Sequence, residues 1–511
     1  MADRLVGSVG ALFVPEIVLA SSASSAQRGA LVAVDPAASS ATPIVHFKGA
    51  AHSMPHGVSC SMSATHAASD SGTGGLVAVI EHERAVLLIY AWQKDQPLAR
   101  IVLPQKMCAA ELSPDGTYIA TGAPDGRLFL WEVASGALLA SFEAHYRAVT
   151  ALRWTSDSAA LVTASADSRV CVWSLPSLVG ASDLGADAHV PSPYAAFADH
   201  TLEVTDIFVS AGAFPQASKV WSASKDMSVK LWDLAARRLV SSFGFVAPIG
   251  CIAIDPLERY LVAADVAQNG TGRLFRVDLY DTATVRARGG RGAEGEIERT
   301  DGTPTLSLAD AITAVAVSNC GSHAVVGTSA GQLHLADVST LQVQRVLSAS
   351  AAPTHTPDTP VTNIRMLPRP SDLLGGMHMW AAAGTKRSAA VRDALAASST
   401  HVSPLPIPHV APQFQRAVVQ QGDLPRVMAR VGDGNGVDTS RLSRLLRAGP
   451  VHPSHETVNT VAPHAPDAPV AVPPATGASD TAQDELRAQL ARAKSLNDDM
   501  WRHVVRVTMG P

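Results

Sequence analysis

The feature that most constrains this chain is a spacing that occurs three times. Asp125 stands six residues before Trp131, Asp167 six before Trp173, and Asp226 six before Trp232. A hydroxyl residue lies four positions ahead of each aspartate, at Thr121, Thr163 and Ser222, and a histidine opens two of the units, His145 and His200. The fullest copy spans 144–175. Val149, Ala151 and Leu152 open a strand, Asp157 and Ser158 turn it, and Leu161 to Ser165 and Arg169 to Trp173 make two more strands. The aspartate, in a tight turn, faces back toward the histidine of the preceding loop. Thr163 or Ser165 relays the bond and Trp173 completes it, so that buried polar groups satisfy one another. Such a unit cannot cover its own faces and must stack on copies of itself. These residues therefore read as fasteners within each unit, with no chemistry of their own.

Self-similarity at this period predicts an all-β fold, a seven-bladed WD40 β-propeller over residues 1–387, followed by a disordered Pro/Ala/His-rich linker over 388–477 and a C-terminal coiled-coil helix over 481–508. The regular blades occupy 105–243. A degenerate first blade runs from about Leu12 to Phe47, a second from Gly57 to Leu103 with Trp92 near the usual tryptophan place, and an insertion at 176–199 lengthens the fourth. The sixth blade keeps its strands but loses the fastening residues, and Ala336 replaces the tryptophan of the seventh. The run VTNIRMLP at 361–368, with MHMWAAAG after it, is expected to close or flank the ring.

The formal net charge is −5, so no global basic field draws in nucleic acid or an acidic membrane. Arg286, Arg288 and Arg291 lie beside glycines, but acidic residues follow and no aromatic interleaves, which reads as a connector rather than an RNA-binding loop. Five scattered cysteines exclude a disulfide framework and a paired zinc motif and fit a reducing compartment. The apolar run after Arg4 is broken by Pro15 and Glu16 and reads as a strand, not a leader. No nucleophile elbow or phosphate-cradling loop is present, HPSHE at 452–456 lacks further metal ligands, and GDGNGVD at 432–438 has its calcium-loop residues out of place. An enzyme, a cofactor and a bound metal are all unexpected.

The tail has its own signature. Thr481 caps a helix with Asp484 and Glu485 in its first turn. Its seam, Leu486, Leu490, Ala493, Asn497, Met500, Val504 and Val507, alternates spacings of four and three, which is a coiled-coil heptad with Asn497 setting the register. About three heptads are marginal alone, so the helix needs a partner, either its own copy or another protein's.

With these passages in place, the chain resembles the WD-repeat subunit of the rixosome. The resemblance rests on 145–179, on SASKDMSVKLWDL at 222–234 and on 245–280, whose blade ends in FRVDLY, and the tail helix has the family's position. It implies a noncatalytic nuclear scaffold for large-subunit maturation. That scaffold joins other rixosome scaffold subunits, engages pre-60S particles and a giant AAA ATPase, supports internal transcribed spacer removal from pre-rRNA, and meets RNA indirectly. No membrane partner is implied. Lys386 and Arg387 make a poor import signal, so import with a partner is expected. The alternative is a different WD40 adaptor, such as a chromatin or replication-licensing factor or a ubiquitin-ligase substrate receptor.

Overall fold

The computed structural model describes residues 16–370 apart from 24–28, 38–42, 51–52, 63–73, 82–83, 181–190, 267–269, 282–285, 288–297, 301–302 and 349–358, together with residue 373 and residues 407–416. The chain divides into two units, Met1–Val451 and His452–Pro511, and all of the described residues fall in the first. They form a seven-bladed β-propeller in which short apolar strands alternate with turns of Asp, Ser and Gly.

Blades 2 to 7 begin with innermost strands Ser53–Cys60, Ala109–Leu112, Val149–Trp154, Val204–Val209, Ile249–Ile254 and Ile312–Val317. Each is followed by antiparallel partners running outward. Blade 1 is assembled from both ends of this region. Its outer strands are Glu16–Ser22, Leu31–Val34 and Val45–Phe47, while its innermost strand is Val361–Pro368, which pairs antiparallel with Glu16–Ser22 through Val18 against Met366 and Ala20 against Ile364. The run expected to close or flank the ring therefore closes it. MHMWAAAG lies outside the described residues.

Strand burial explains why the blades must stack. Strands such as Leu76–Glu81 and Ala160–Ser165 are buried along their whole length on both faces. Their apolar side chains enter seven clusters, each spanning two neighbouring blades. Burying each Leu, Ile or Val there stabilises by about 1.5–3 kcal/mol. A blade removed from the ring would lose both of its seams. At the seam of blades 3 and 4 the fit leaves no room for a side chain at Gly122, where a Cβ would come within 2.5 Å of Val149.

Two pieces of the expected connectors are built into the ring. Glu298–Arg299, from the excursion after blade 6, adds a short parallel strand to the outer edge of blade 5. Residues 407–416, inside the stretch expected to be disordered linker, lie on the lower edge of blade 3. Ala411 N donates to Val133 O and Gln415 N to Gly136 O, and Ala411 and Phe414 are buried. Ten residues of that stretch are thus seated on the ring. Pro408 and Pro412 favour extended backbone, and the small Ala411 and flat Phe414 fit the seam that Trp131 lines.

Candidate partner-binding surface and the polar networks beneath it

In blades 4 and 5 the four fastening residues form one chain of hydrogen bonds. Trp173 Nε1 donates to Thr163 Oγ1 at 3.1 Å, Thr163 Oγ1 lies 2.7 Å from His145 Nε2, and His145 Nδ1 lies 3.1 Å from Asp167 Oδ2. A carboxylate only accepts, so Nδ1 carries the proton and Nε2 accepts from the hydroxyl. Ser165 is not the relay; it donates to Arg147 O. Blade 5 repeats the arrangement. Trp232 Nε1 to Ser222 Oγ, Ser222 Oγ to His200 Nε2, and His200 Nδ1 to Asp226 Oδ2 are each 2.8 Å. Burial works to raise the Asp226 carboxyl, but hydrogen bonds from His200 and Ser228 outweigh it and hold the group below the usual carboxylate range. Asp167 is lowered in the same way, with burial opposed by the bond from His145.

Blade 3 does not join its three residues. Gln105 takes the histidine's role and reaches Asp125 at 3.1 Å, but cannot pass the bond inward. Thr121 Oγ1 is buried without a partner, and Trp131 Nε1 donates instead to Gln415 O at 2.9 Å. Blade 6, whose fastening residues are lost, uses an ion pair between Arg273 Nε and Asp265 Oδ2 at 2.8 Å. Register places Tyr90, Val277 and Ala336 where blades 3, 4 and 5 have tryptophan: each pairs with the second residue of its neighbour strand, as Trp173 pairs with Leu161, and Trp92 lies two residues beyond that place.

The innermost strands surround a cavity of about 350 Å³, lined among others by His56, Arg153, Asp206 and Arg365. Titratable side chains from five blades meet on this axis. Arg365 donates to Glu111 at 2.5 Å, Arg153 to Glu111 at 3.4 Å, Arg153 Nη2 lies 3.7 Å from Asp206, and His56 Nδ1 is 3.7 Å from Asp206. Asp206 also accepts from Ile252 N in blade 6 at 3.0 Å. The two guanidinium groups are thus matched by two carboxylates. Burial lowers the His56 pKa and pushes the Cys60 thiol up to about 11. Burial likewise pushes the Cys171 thiol up to about 12, so neither cysteine is a nucleophile at neutral pH.

The loops that carry His145 and His200 define the upper face. There Tyr146 is 83% exposed, Leu202 53%, Met227 45% and Val246 57%, all in loops of blades 4, 5 and 6. The Arg169 guanidinium lies 5.4 Å from the centre of the Tyr146 ring. Asp167 also takes the backbone N–H of Tyr146, and Asp226 that of Thr201, so the buried networks fix the loops that present these side chains. This surface carries exposed apolar side chains on turns held by these networks and is suited to binding a protein partner.

A family model described as WD domain, G-beta repeat, matches residues 105–132 and 136–174. A pre-rRNA-processing protein IPI3 of Mycosarcoma maydis is 32% identical over 98% of this chain and 97% of that protein. The chain belongs to the IPI3 family. More distant relatives match just over half of it. WD repeat-containing protein 18 of Homo sapiens is 28% identical over 56% of this chain and 61% of its own length, and pre-rRNA-processing protein crb3/ipi3 of Schizosaccharomyces pombe is 25% identical over 52% and 63%.

In this IPI3-family chain, sequence reasoning missed the axial network because its side chains come from five separate blades. The available signal was a charged residue inside an otherwise apolar strand, as at Glu111 and Asp206. Leu486, Leu490, Ala493, Asn497, Met500, Val504 and Val507 lie outside the described residues, as do Arg288 and Arg291. Arg286 falls in the two-residue strand Arg286–Ala287, paired with Tyr280–Asp281.

Proposed function

We propose that this chain is a noncatalytic scaffold subunit of a nuclear complex that matures the large ribosomal subunit. It supports internal transcribed spacer removal from pre-rRNA, joins other rixosome scaffold subunits and helps recruit a giant AAA ATPase to pre-60S particles. The observation that carries this reading is the near end-to-end likeness to a pre-rRNA-processing protein. The propeller supports it physically: a rigid ring offers several separate surfaces, and the exposed Tyr146, Leu202 and Val246 supply apolar anchors for one partner. The heptad seam of Leu486 to Val507 supports a second contact, a tether that raises the local concentration of whatever it pairs with.

The test is affinity purification of the tagged full-length chain beside a version ending at Ser479, with mass spectrometry and pre-rRNA blotting of both. The expected result is ribosome-assembly subunits and spacer-containing precursor with the full chain, and their loss with the shorter one. Retention by the shorter chain would place the main contact on the propeller. Absence of assembly factors from both samples would overturn the reading.

A further inference from the structure

The lower edge of blade 3 is built like a peptide-recognition groove, and a piece of this chain occupies it. The turn after strand Arg127–Glu132 offers two main-chain acceptors, Val133 O to Ala411 N at 3.0 Å and Gly136 O to Gln415 N at 2.7 Å. Trp131 Nε1 donates to Gln415 O at 2.9 Å, and His409 Nδ1 lies 2.9 Å from Ala134 O. The Trp131 indole is sandwiched between Phe129, with ring centres 5.4 Å apart, and Phe414 at 5.7 Å. Gly136 stands at φ +70°, and a Cβ there would collide with the Gln413 carbonyl and come within 2.8 Å of the Ala411 Cβ. The groove thus reads backbone at two residues four apart, and it admits a small side chain at one place and an aromatic ring three residues later.

The second observation is inside the blade. In blades 4 and 5 the tryptophan indole is spent on Thr163 or Ser222, whereas in blade 3 the equivalent Thr121 hydroxyl is buried without a partner. Trp131 therefore has two acceptors open to it: the resident peptide, or the hydroxyl behind it. That gives the occupied and vacated grooves two defined arrangements, and a vacated groove need not strand a buried indole N–H. The seated segment contributes two buried side chains and a few hydrogen bonds against the entropy of ordering ten residues, so its seating is shallow enough to exchange.

We propose that this edge of blade 3 is a displaceable peptide-recognition site read by Trp131. Residues 407–416 are its resident ligand, and extended partner segments with a small residue followed three positions later by an aromatic one compete for it. In the intact protein the tethered segment holds a high effective concentration at the groove and sets the threshold for an incoming peptide.

The experiment uses the full chain and a fluorescein-labelled synthetic peptide of residues 405–418, read by fluorescence anisotropy. Phe414→Asp and, separately, Ala411→Arg empty the groove from the segment's side without touching the propeller. Both are expected to bind the peptide at least tenfold more tightly than the unaltered chain, and a peptide with alanine in place of Phe414 is expected not to bind. Hydrogen exchange of the unaltered chain should show protected amides at Ala411 and Gln415 that lose protection in Phe414→Asp. Equal peptide binding by altered and unaltered chains, no binding by either variant, or rapid exchange at both amides in the unaltered chain would each overturn the proposal.

Discussion

Glu111 accepts a hydrogen bond from Arg365 at 2.5 Å, joining the innermost strand of blade 3 to the strand that closes blade 1. Arg153 of blade 4 shares the same carboxylate at 3.4 Å. Glu111→Gln leaves two guanidinium groups on the axis with one carboxylate between them. Removing one partner of such a buried set costs about 3 kcal/mol. Urea unfolding should show this loss, while the double change Glu111→Leu with Arg365→Leu should cost less than the two single changes added together. Additive costs would show that the pair does not couple the blades.

One substitution should have opposite outcomes in neighbouring blades. Thr163→Val removes the hydroxyl that Trp173 and His145 both use, orphaning two buried groups at roughly 1–3 kcal/mol each. Thr121→Val replaces a buried hydroxyl that has no partner, so stability should be unchanged or slightly raised. Thermal unfolding of the two variants decides the matter, and equal losses would contradict the difference between blades 3 and 4.

Stability should fall in mild acid because of His56. Burial lowers its pKa, Arg153 and Arg365 push the same way, and Asp206 and Glu111 oppose them. The unfolded imidazole protonates near 6.5 while the folded one resists. Below about pH 6.5 the unfolded state therefore binds more protons, and stability is lost as pH falls toward the folded value. His56 has φ 55°, a conformation that asparagine adopts readily. His56→Asn should flatten the melting temperature between about pH 6.5 and pH 5. An unaltered slope would assign that acid sensitivity elsewhere.

Asp226 governs a lower window. Its folded pKa is depressed, so its contribution is present above the ordinary carboxylate value and is lost as pH falls through the folded one. Asp226→Asn should destabilise at neutral pH by about 1–3 kcal/mol. The gap from the unaltered protein should narrow in acid below about pH 3.8. A gap independent of pH, measured by chemical denaturation, would mean that the charge is not what matters.

The upper loops should matter for partners and not for folding. Tyr146→Glu with Leu202→Asp changes two exposed side chains that no cluster buries. Co-purified protein partners should drop several-fold while the melting temperature stays within a degree or two of the unaltered value. Full retention of partners would move the contact off this face.

The sequence alone determined the blade. Period-two apolar strands, Asp and Ser turns, and the aligned Thr163, Asp167 and Trp173 are local patterns, each written within one blade, and the number of blades followed from their repetition. Tertiary structure decided everything that depends on elements far apart in sequence: the closing pair of Glu16–Ser22 with Val361–Pro368, the axial meeting of His56, Glu111, Arg153, Asp206 and Arg365, and the turn of Trp131 from Thr121 to Gln415. The six-residue spacing is identical in blades 3, 4 and 5, so spacing could not distinguish them. What distinguishes them is that Gln105 stands where a histidine would, and that a segment 284 residues beyond Trp131 offers its indole a different acceptor.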